Sequence, residues 1–422
     1  MDVIVIEGGK PLKGSVTISG AKNSALPIFA ATLLAPGEFT LENIPDLMDV
    51  RTIIKIITEF GCRVRKNGAD GYTVDSTGVN NHEAPYDLVK TMRASCLALG
   101  PLVARLGRAR VSLPGGCAIG ERPIDQHLKG LSALGARIDI SHGYVDAHVE
   151  GRLVGKHITM DLVTVTGVMN IMMAAALADG QTVIDNAARE PEVTALADFL
   201  NAMGANIRGA GTPTIVIEGV RELKPARVTN IADRVEAGTF MAAAAITGGD
   251  VDVCGVDPVN VGAISDKLRE CGVTVEENGR NIHVRGGERI IPINVTTAPF
   301  PGFATDMQAQ YMALMSLADG ACVITETIFE NRFMHVAELR RMGADITVSG
   351  KSAHVRGVKK LSGAPVMATD LRASASLAIA ALAAEGETTI SRVYHLDRGY
   401  EHIERKLMSL GATIRRIPGG KP

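Results

Sequence analysis

Met342-Gly343-Ala344-Asp345-Ile346 joins the end of a helical pattern to the start of an alternating one, and its reading decides the fold. Gly343 sits where a helix takes a left-handed closing residue, and the residues after it alternate as a strand. The same phrase occurs five more times, as Phe60-Gly61-Cys62-Arg63-Val64, Leu134-Gly135-Ala136-Arg137-Ile138, Met203-Gly204-Ala205-Asn206-Ile207, Cys271-Gly272-Val273-Thr274-Val275 and Leu410-Gly411-Ala412-Thr413-Ile414. Successive glycines stand about 70 residues apart, and self-similarity at a steady period marks a repeated supersecondary unit.

The unit is clearest from about Ala364. A strand from Pro365 to Ala368 meets a polar turn and then an alanine-rich helix from Asp370 to Leu382. Glu385-Gly386-Glu387 ends it, Thr388 to Val393 alternates as a second strand, and a loop with Asp397 and Arg398 leads into a helix closing at Leu410. A third strand follows, and other copies add a fourth, such as Ala353-His354-Val355-Arg356 or Asn281-Ile282-His283-Val284-Arg285. Each copy therefore reads βαβαββ, an α/β class. The helices around Ile171 to Ala178 and Ala242 to Ala245 are apolar on nearly every side, so they are expected to lie buried inside a ring of sheets.

The sixth copy stops at Ile417-Pro418-Gly419-Gly420, one strand short. Ile4-Val5-Ile6-Glu7-Gly8 repeats the residues of Ile215-Val216-Ile217-Glu218-Gly219, which close the third copy, so the N-terminal strand is expected to complete the last. Two domains of three repeats follow: residues 1–21 with 230–422, and residues 22–229, joined near Gly20-Ala21 and near Arg227-Val228. A cleft between such halves is the expected place for a ligand.

Composition narrows the function. With 422 residues, 46% hydrophobic and 21% charged, the chain has material for more than one core. A net charge of -2, 4% aromatics and no Trp argue against a nucleic-acid partner. Gly, Pro or a charge interrupts every apolar run before it reaches membrane-spanning length. Met1-Asp2-Val3-Ile4-Val5-Ile6-Glu7 does not read as a signal peptide. Cys62, Cys96, Cys117, Cys254, Cys271 and Cys322 are scattered, without a Cys-x-x-Cys pair, which suits reduced thiols in a cytoplasm. His127, His335, His395 and His402 lack metal-ligand spacing and read as core or surface residues, and neither a metal nor another cofactor is expected.

Charge gathers where strands pass into helices. Lys22-Asn23, Arg93, Asp233-Arg234, Asp306 and Asp370-Leu371-Arg372 stand at the first such loop of successive units, and Arg122, Arg189-Glu190, Arg332 and Arg398 at the second. A helix start exposes unpaired N–H groups and suits anions, and a cation placed there makes a phosphate or carboxylate site. Taken singly, Asp233 and Asp370 read equally well as caps and each arginine as a surface ion pair. Eight cations at equivalent points of a nearly neutral chain imply a confined cationic pocket and a small, highly anionic substrate. Neither a phosphate-binding Gly-x-x-x-x-Gly-Lys loop nor a dinucleotide fingerprint is present.

The stretch Pro114-Gly115-Gly116-Cys117-Ala118-Ile119-Gly120-Glu121-Arg122-Pro123-Ile124-Asp125 surrounds one thiol with glycines and places Arg122 five residues on. Glycines let the backbone approach a ligand, and a neighbouring cation favours thiolate. A surface loop that happens to contain Cys117 is the competing reading.

Together these residues resemble the enolpyruvyl transferases, in the branch acting on UDP-N-acetylglucosamine in peptidoglycan synthesis. The resemblance covers the whole chain and is carried by Gly20-Ala21-Lys22-Asn23, the Cys117 loop, Ala187-Ala188-Arg189-Glu190-Pro191-Glu192, Thr305-Asp306-Met307-Gln308-Ala309-Gln310, Glu326-Thr327-Ile328-Phe329-Glu330-Asn331-Arg332-Phe333, Ala368-Thr369-Asp370-Leu371-Arg372-Ala373 and Asp397-Arg398-Gly399-Tyr400. It implies an inside-out α/β barrel, with three βαβαββ repeats in each domain around a pseudo-threefold axis. The implied reaction moves the enolpyruvyl group of phosphoenolpyruvate to the 3-hydroxyl of the sugar in UDP-N-acetylglucosamine and releases phosphate. In that family Lys22, Arg122, Arg332, Arg372 and Arg398 match the cations that meet the donor, Asp306 the general base, and Cys117 the proton donor or a reversible nucleophile. For the sugar nucleotide the matching positions are Asn23, Arg93, Arg122, Pro123, Ile124, Asp125, Gln126, Asp306 and Ile328. The segment Leu162-Val163-Thr164-Val165-Thr166-Gly167 departs from the Lys-x-Ser-x-Gly form of some members, which leaves Thr164 and backbone N–H groups to serve there. Two rivals share the repeats: the sibling enzyme for shikimate 3-phosphate, whose pattern lacks the Cys117 loop, and a non-catalytic sugar-nucleotide binder, which has no need of Lys22, Cys117, Asp306 and Arg398 together.

Overall fold

The computed structural model describes residues 2–84, 86–89, 92–113 and 124–419. Each recurrent glycine does what its position demands. Gly61, Gly135, Gly204, Gly272, Gly343 and Gly411 have φ between 88° and 107°, a region that a side chain resists. At Gly343 the closing pair of bonds is Gly343 N–H to the Arg340 carbonyl and Ala344 N–H to the Leu339 carbonyl, at 2.9 and 3.1 Å. This crossed pair satisfies the last helical carbonyls and turns the chain into the next strand.

Among the described residues, six four-stranded mixed sheets result. In the sheet built around Ala321–Thr325, the first strand Val295–Thr296 runs parallel to it and Ser352–Arg356 antiparallel, with Asp345–Ser349 outermost. Strand order is thus first, second, fourth, third along the repeat. The strand Val3–Glu7 takes the fourth-strand place in the last sheet, antiparallel to both Glu387–Ser391 and Thr413–Ile417. Ile4 and Ile6 join the unit's core there, which pins the register, since a one-residue slip would turn both to the sheet's other face.

Contacts divide the described residues into two units, residues 2–19 with 232–419 and residues 20–113 with 124–231. Each unit holds three of the sheets and its own hydrophobic core. The opening strand of each unit's first sheet comes from a distant part of the chain. Lys13–Thr17 runs parallel to Asp250–Cys254, and Arg227–Thr229 runs parallel to Glu38–Glu42.

The alanine-rich helices are buried along most of their length. Arg234–Ile246, Gln308–Met315 and Leu371–Ala383 pack on one another in one unit. Their counterparts in the other are Lys22–Ala31, Leu99–Leu106 and Val165–Ala175. Small side chains let such helices approach closely: a Cβ on Gly100 would lie 2.3 Å from the Asn170 carbonyl oxygen. Among the described residues no helix is long and apolar enough to cross a membrane.

Candidate active site

In the unit of residues 2–19 and 232–419, the turn Thr305–Met307 leads into the buried helix Gln308–Met315 and carries Asp306. Arg332 Nη2 donates to Asp306 Oδ1 at 2.6 Å, and Arg372 Nε donates to Oδ2 at 3.2 Å. The two arginine side chains are only 5% and 3% exposed, against 26% for Asp306. Charges this deep persist only when paired and hydrogen-bonded. Arg372 Nη1 is nonetheless buried without a hydrogen-bond partner among the described residues, a donor suited to an anion.

Arg372 is the second residue of its helix. The Asp370 carboxylate caps that helix, accepting from the N–H groups of Arg372 and Ala373 at 2.8 and 3.0 Å. Asp233 caps its own helix in the same way, through the N–H groups of Val235 and Glu236. Both acids are therefore caps. The Arg372 guanidinium carbon lies 5.4 Å from the Tyr400 ring centre, and Arg332 stands equally far from the Phe329 ring. Burial works against the charge on Arg372, but the Tyr400 ring and hydroxyl beside it and the carboxylates of Asp306 and Asp233 outweigh it and raise its pKa. The Tyr400 hydroxyl is held by Thr239 at 2.9 Å and by Gln310 Nε2 at 3.2 Å, and burial lifts its pKa, so it stays neutral.

Arg398, half-buried, ends the short helix Val393–Arg398. The residue before it, Asp397, takes two bonds from Arg416 at 2.8 and 2.6 Å, and the same guanidinium reaches Asp2 at 2.8 Å. Ile328 is 38% exposed. His335 is fully buried, a core residue whose pKa burial pulls down to about 4.

In the other unit Lys22 begins the helix Lys22–Ala31, and its ammonium donates to Asp49 Oδ2 at 3.1 Å, with both side chains under 10% exposed. Asn23 beside it is exposed. Arg93 opens the short helix Arg93–Ala98. Ile124 is buried, Asp125 starts the helix Asp125–Ala133 and is exposed, and Gln126 is buried. The Gln126 amide is already occupied: Nε2 donates to Asp125 and Asp161 at 3.1 and 3.0 Å, and Oε1 accepts from the Asp161 N–H at 3.0 Å. Lys129 donates to the other Asp161 oxygen at 2.6 Å, and these two donors, Lys129 first, pull the Asp161 pKa down. Thr164 caps the helix Val165–Ala175, its hydroxyl accepting from the Gly167 N–H at 3.3 Å, while Leu162 and Val163 are exposed. His127 is a core residue, bonded to Thr166 and Asn170 at 3.1 and 3.0 Å. Arg189 is half-buried.

Cys117, Arg122 and Pro123 lie outside the described residues. Two of the described thiols differ from what a reactive cysteine needs: burial pushes Cys62 and Cys322 up to about 12. Two residues that matter to the geometry went unassigned in the sequence reading, Asp49 and Glu326. Glu326 opens the segment Glu326-Thr327-Ile328-Phe329-Glu330-Asn331-Arg332-Phe333, yet nothing in its spacing announces that its buried carboxylate accepts from the Thr305 hydroxyl beside Asp306.

A family model described as EPSP synthase (3-phosphoshikimate 1-carboxyvinyltransferase) matches residues 6–407. The protein called UDP-N-acetylglucosamine 1-carboxyvinyltransferase from Desulfosudis oleivorans is 60% identical over 417 residues, spanning 99% of this chain and 100% of its own. The protein of the same name from Myxococcus xanthus is 60% identical over 421 residues, with 99% of each chain covered. Among solved structures, the enolpyruvyl transferase NikO from Streptomyces tendae superposes with a TM-score of 0.88 at 28% identity, covering 98% of both chains. EPSP synthase from Acinetobacter baumannii, at 21% identity and a TM-score of 0.76, shares the fold over 99% of this chain and 100% of its own.

Proposed function

The chain belongs to the EPSP synthase family of enolpyruvyl transferases, and we infer that it transfers the enolpyruvyl group of phosphoenolpyruvate to the 3-hydroxyl of UDP-N-acetylglucosamine, with release of phosphate. It is a transferase. The acceptor follows from relatives of that name at 57–60% identity over nearly full length. The reaction would supply a precursor for peptidoglycan, in the cytoplasm. The finer architecture, an inside-out α/β barrel with a pseudo-threefold axis in each unit, is supported by the three mixed sheets and three buried helices that each unit contains.

The observation that carries the mechanism is the Asp306–Arg332–Arg372 cluster, two deeply buried cations on one carboxylate with a further guanidinium nitrogen unpartnered. Phosphoenolpyruvate brings a phosphate and a carboxylate. Lys22, Arg122, Arg332, Arg372 and Arg398 are assigned to meet them, since cations fixed in a water-poor site stabilise both the anion and the leaving group. An arriving anion competes with Asp306 for the guanidiniums. An oxygen of Asp306 that gives up its bond becomes available to take the proton of the acceptor hydroxyl. The attacked carbon then carries the sugar oxygen, the phosphate and the carboxylate in a tetrahedral adduct. Protonation of the methylene carbon is assigned to Cys117, and return of that proton to a base regenerates the vinyl group as phosphate leaves. The sugar nucleotide is assigned to Asn23, Arg93, Arg122, Pro123, Ile124, Asp125, Gln126, Thr164 and Ile328. Asp125 and Asn23 have the exposure a contact needs, whereas Ile124 and Gln126 would serve as buried support.

The test is to supply phosphoenolpyruvate with each acceptor and measure phosphate. Release with UDP-N-acetylglucosamine is expected. Release with shikimate 3-phosphate alone would move the chain to the sibling activity, and release with neither would leave a binding protein.

A further inference from the structure

Glu326 lies at the end of the strand Ala321–Thr325 and is 1% exposed. A carboxylate at that depth must have its oxygens satisfied. Four donors converge on it. Thr297 Oγ1 and the N–H groups of Ile328 and Phe329 reach Oε1 at 3.0, 2.8 and 3.1 Å, and Thr305 Oγ1 reaches Oε2 at 2.8 Å. These donors belong to three separate segments. Thr305 is the residue before Asp306, on the turn Thr305–Met307. Ile328 and Phe329 begin the loop that runs to Arg332, whose guanidinium stands 5.4 Å from the Phe329 ring centre. Thr297 is tied to that loop a second time, its hydroxyl accepting from the Thr327 N–H at 2.9 Å and its carbonyl from the Thr327 hydroxyl at 2.6 Å.

We propose that Glu326 is a positioning residue for the transfer reaction, holding the Asp306 turn and the Ile328–Arg332 loop in one register through Thr305 and two backbone N–H groups. The inference rests on the reading of Asp306 as the general base. A base must stand within hydrogen-bond reach of the proton it removes, and displacement by about 1 Å can cost on the order of a hundredfold in rate. Asp306 is bonded to two arginines, but these set its partners rather than its height above the helix. The bond from Thr305 to Glu326 anchors the backbone on which Asp306 stands. A carboxylate suits the task because, when ionised, it only accepts, and all four of its partners donate.

Three variants separate this role from general support of the fold. Thr305→Val keeps the shape and removes the hydroxyl bond from the Asp306 turn to Glu326. Glu326→Gln keeps three acceptor contacts but faces Thr305 with an amide N–H, so that the hydroxyl must reverse. For Thr305→Val we expect kcat to fall about tenfold or more, with the KM of phosphoenolpyruvate within about threefold of the parent value and a melting temperature close to the parent's. Glu326→Gln is expected to fall less far, and Thr305→Ser to restore kcat. Parent-level kcat in Thr305→Val, or a loss that Thr305→Ser does not rescue, would overturn the proposal. A parent protein that releases no phosphate with either acceptor would instead remove the reading on which it rests.

Discussion

Asp306 spends its better hydrogen bond, 2.6 Å, on Arg332, a side chain almost wholly withdrawn from solvent. The proposed base and a cation assigned to the donor are therefore already partners in the protein itself. Asp306→Asn keeps the shape but cancels the charge, which removes the base and releases two guanidiniums together. The expected outcome is a kcat lower by about 10²–10⁴-fold, with a KM for phosphoenolpyruvate that does not rise. Arg332→Ala should do the reverse to binding, raising that KM. Steady-state phosphate release against donor concentration distinguishes them, and a donor KM that climbs sharply in Asp306→Asn would contradict the competition.

Lys22 and Asp49 pose a similar question with a stability component. Both are buried, and removing one partner of a buried pair leaves the other charge under-compensated, at a cost on the order of 3 kcal/mol. Asp49→Asn is expected to lower stability towards urea while part of the turnover survives, because Lys22 keeps its charge. Lys22→Met should lose both. The double change Lys22→Met with Asp49→Leu should regain stability without activity, since an apolar pair can replace a buried ionic one at little cost. Urea unfolding alongside phosphate release checks all three variants.

The repeat was legible because glycine has one physical reason to recur at the end of a helix, and Gly343 shows it in a positive φ and a crossed pair of bonds. The link from Val3–Glu7 to the last sheet was legible for a related reason: Ile4 and Ile6 must face a core, and the echo at Ile215 and Ile217 shows which sheet position does so. Lys22 and Arg372 stand at the helix starts the sequence pattern pointed to, and Asp306 on the turn before its helix, whereas Arg398 closes a short helix instead of opening one. What stayed hidden depends on side chains meeting across sequence distance. Nothing local joins Asp306 to Arg372, Lys22 to Asp49 or Glu326 to Thr305, and each of these meetings is set by how whole repeats pack. Thr164 and Gln126 show the converse, since their polar atoms are already engaged within the protein.

The thiol prediction follows from the contrast among cysteines. Burial raises the pKa of Cys62, Cys271 and Cys322, which leaves them poor nucleophiles at neutral pH. Cys117 stands in a glycine-rich stretch five residues before Arg122. If Cys117 acts as a proton donor, Cys117→Asp retains turnover, because a carboxylic acid can carry the same proton, whereas Cys117→Ser, a far weaker acid, loses most of it. Equal activity in the two variants would count against an acid role. Alkylation at neutral pH should label Cys117 ahead of the buried thiols, and protection by UDP-N-acetylglucosamine would tie the loop to acceptor binding. Mass spectrometry of the labelled peptides reads both effects.

His335 supplies a pH dependence of stability whose direction can be worked out. It is buried, and desolvation holds its pKa near 4, below the ordinary value of 6.5; Arg332 adds to that depression while Asp370 opposes it. The folded protein therefore binds this proton less readily than the unfolded chain does. The stability tied to the neutral ring is fully present above pH 6.5 and drains away as pH falls towards 4. Urea unfolding between those limits should show stability falling with acidity in the parent, and His335→Phe should flatten that slope whatever it does to stability at neutral pH. An unchanged slope in the variant would mean that other groups carry the acid sensitivity.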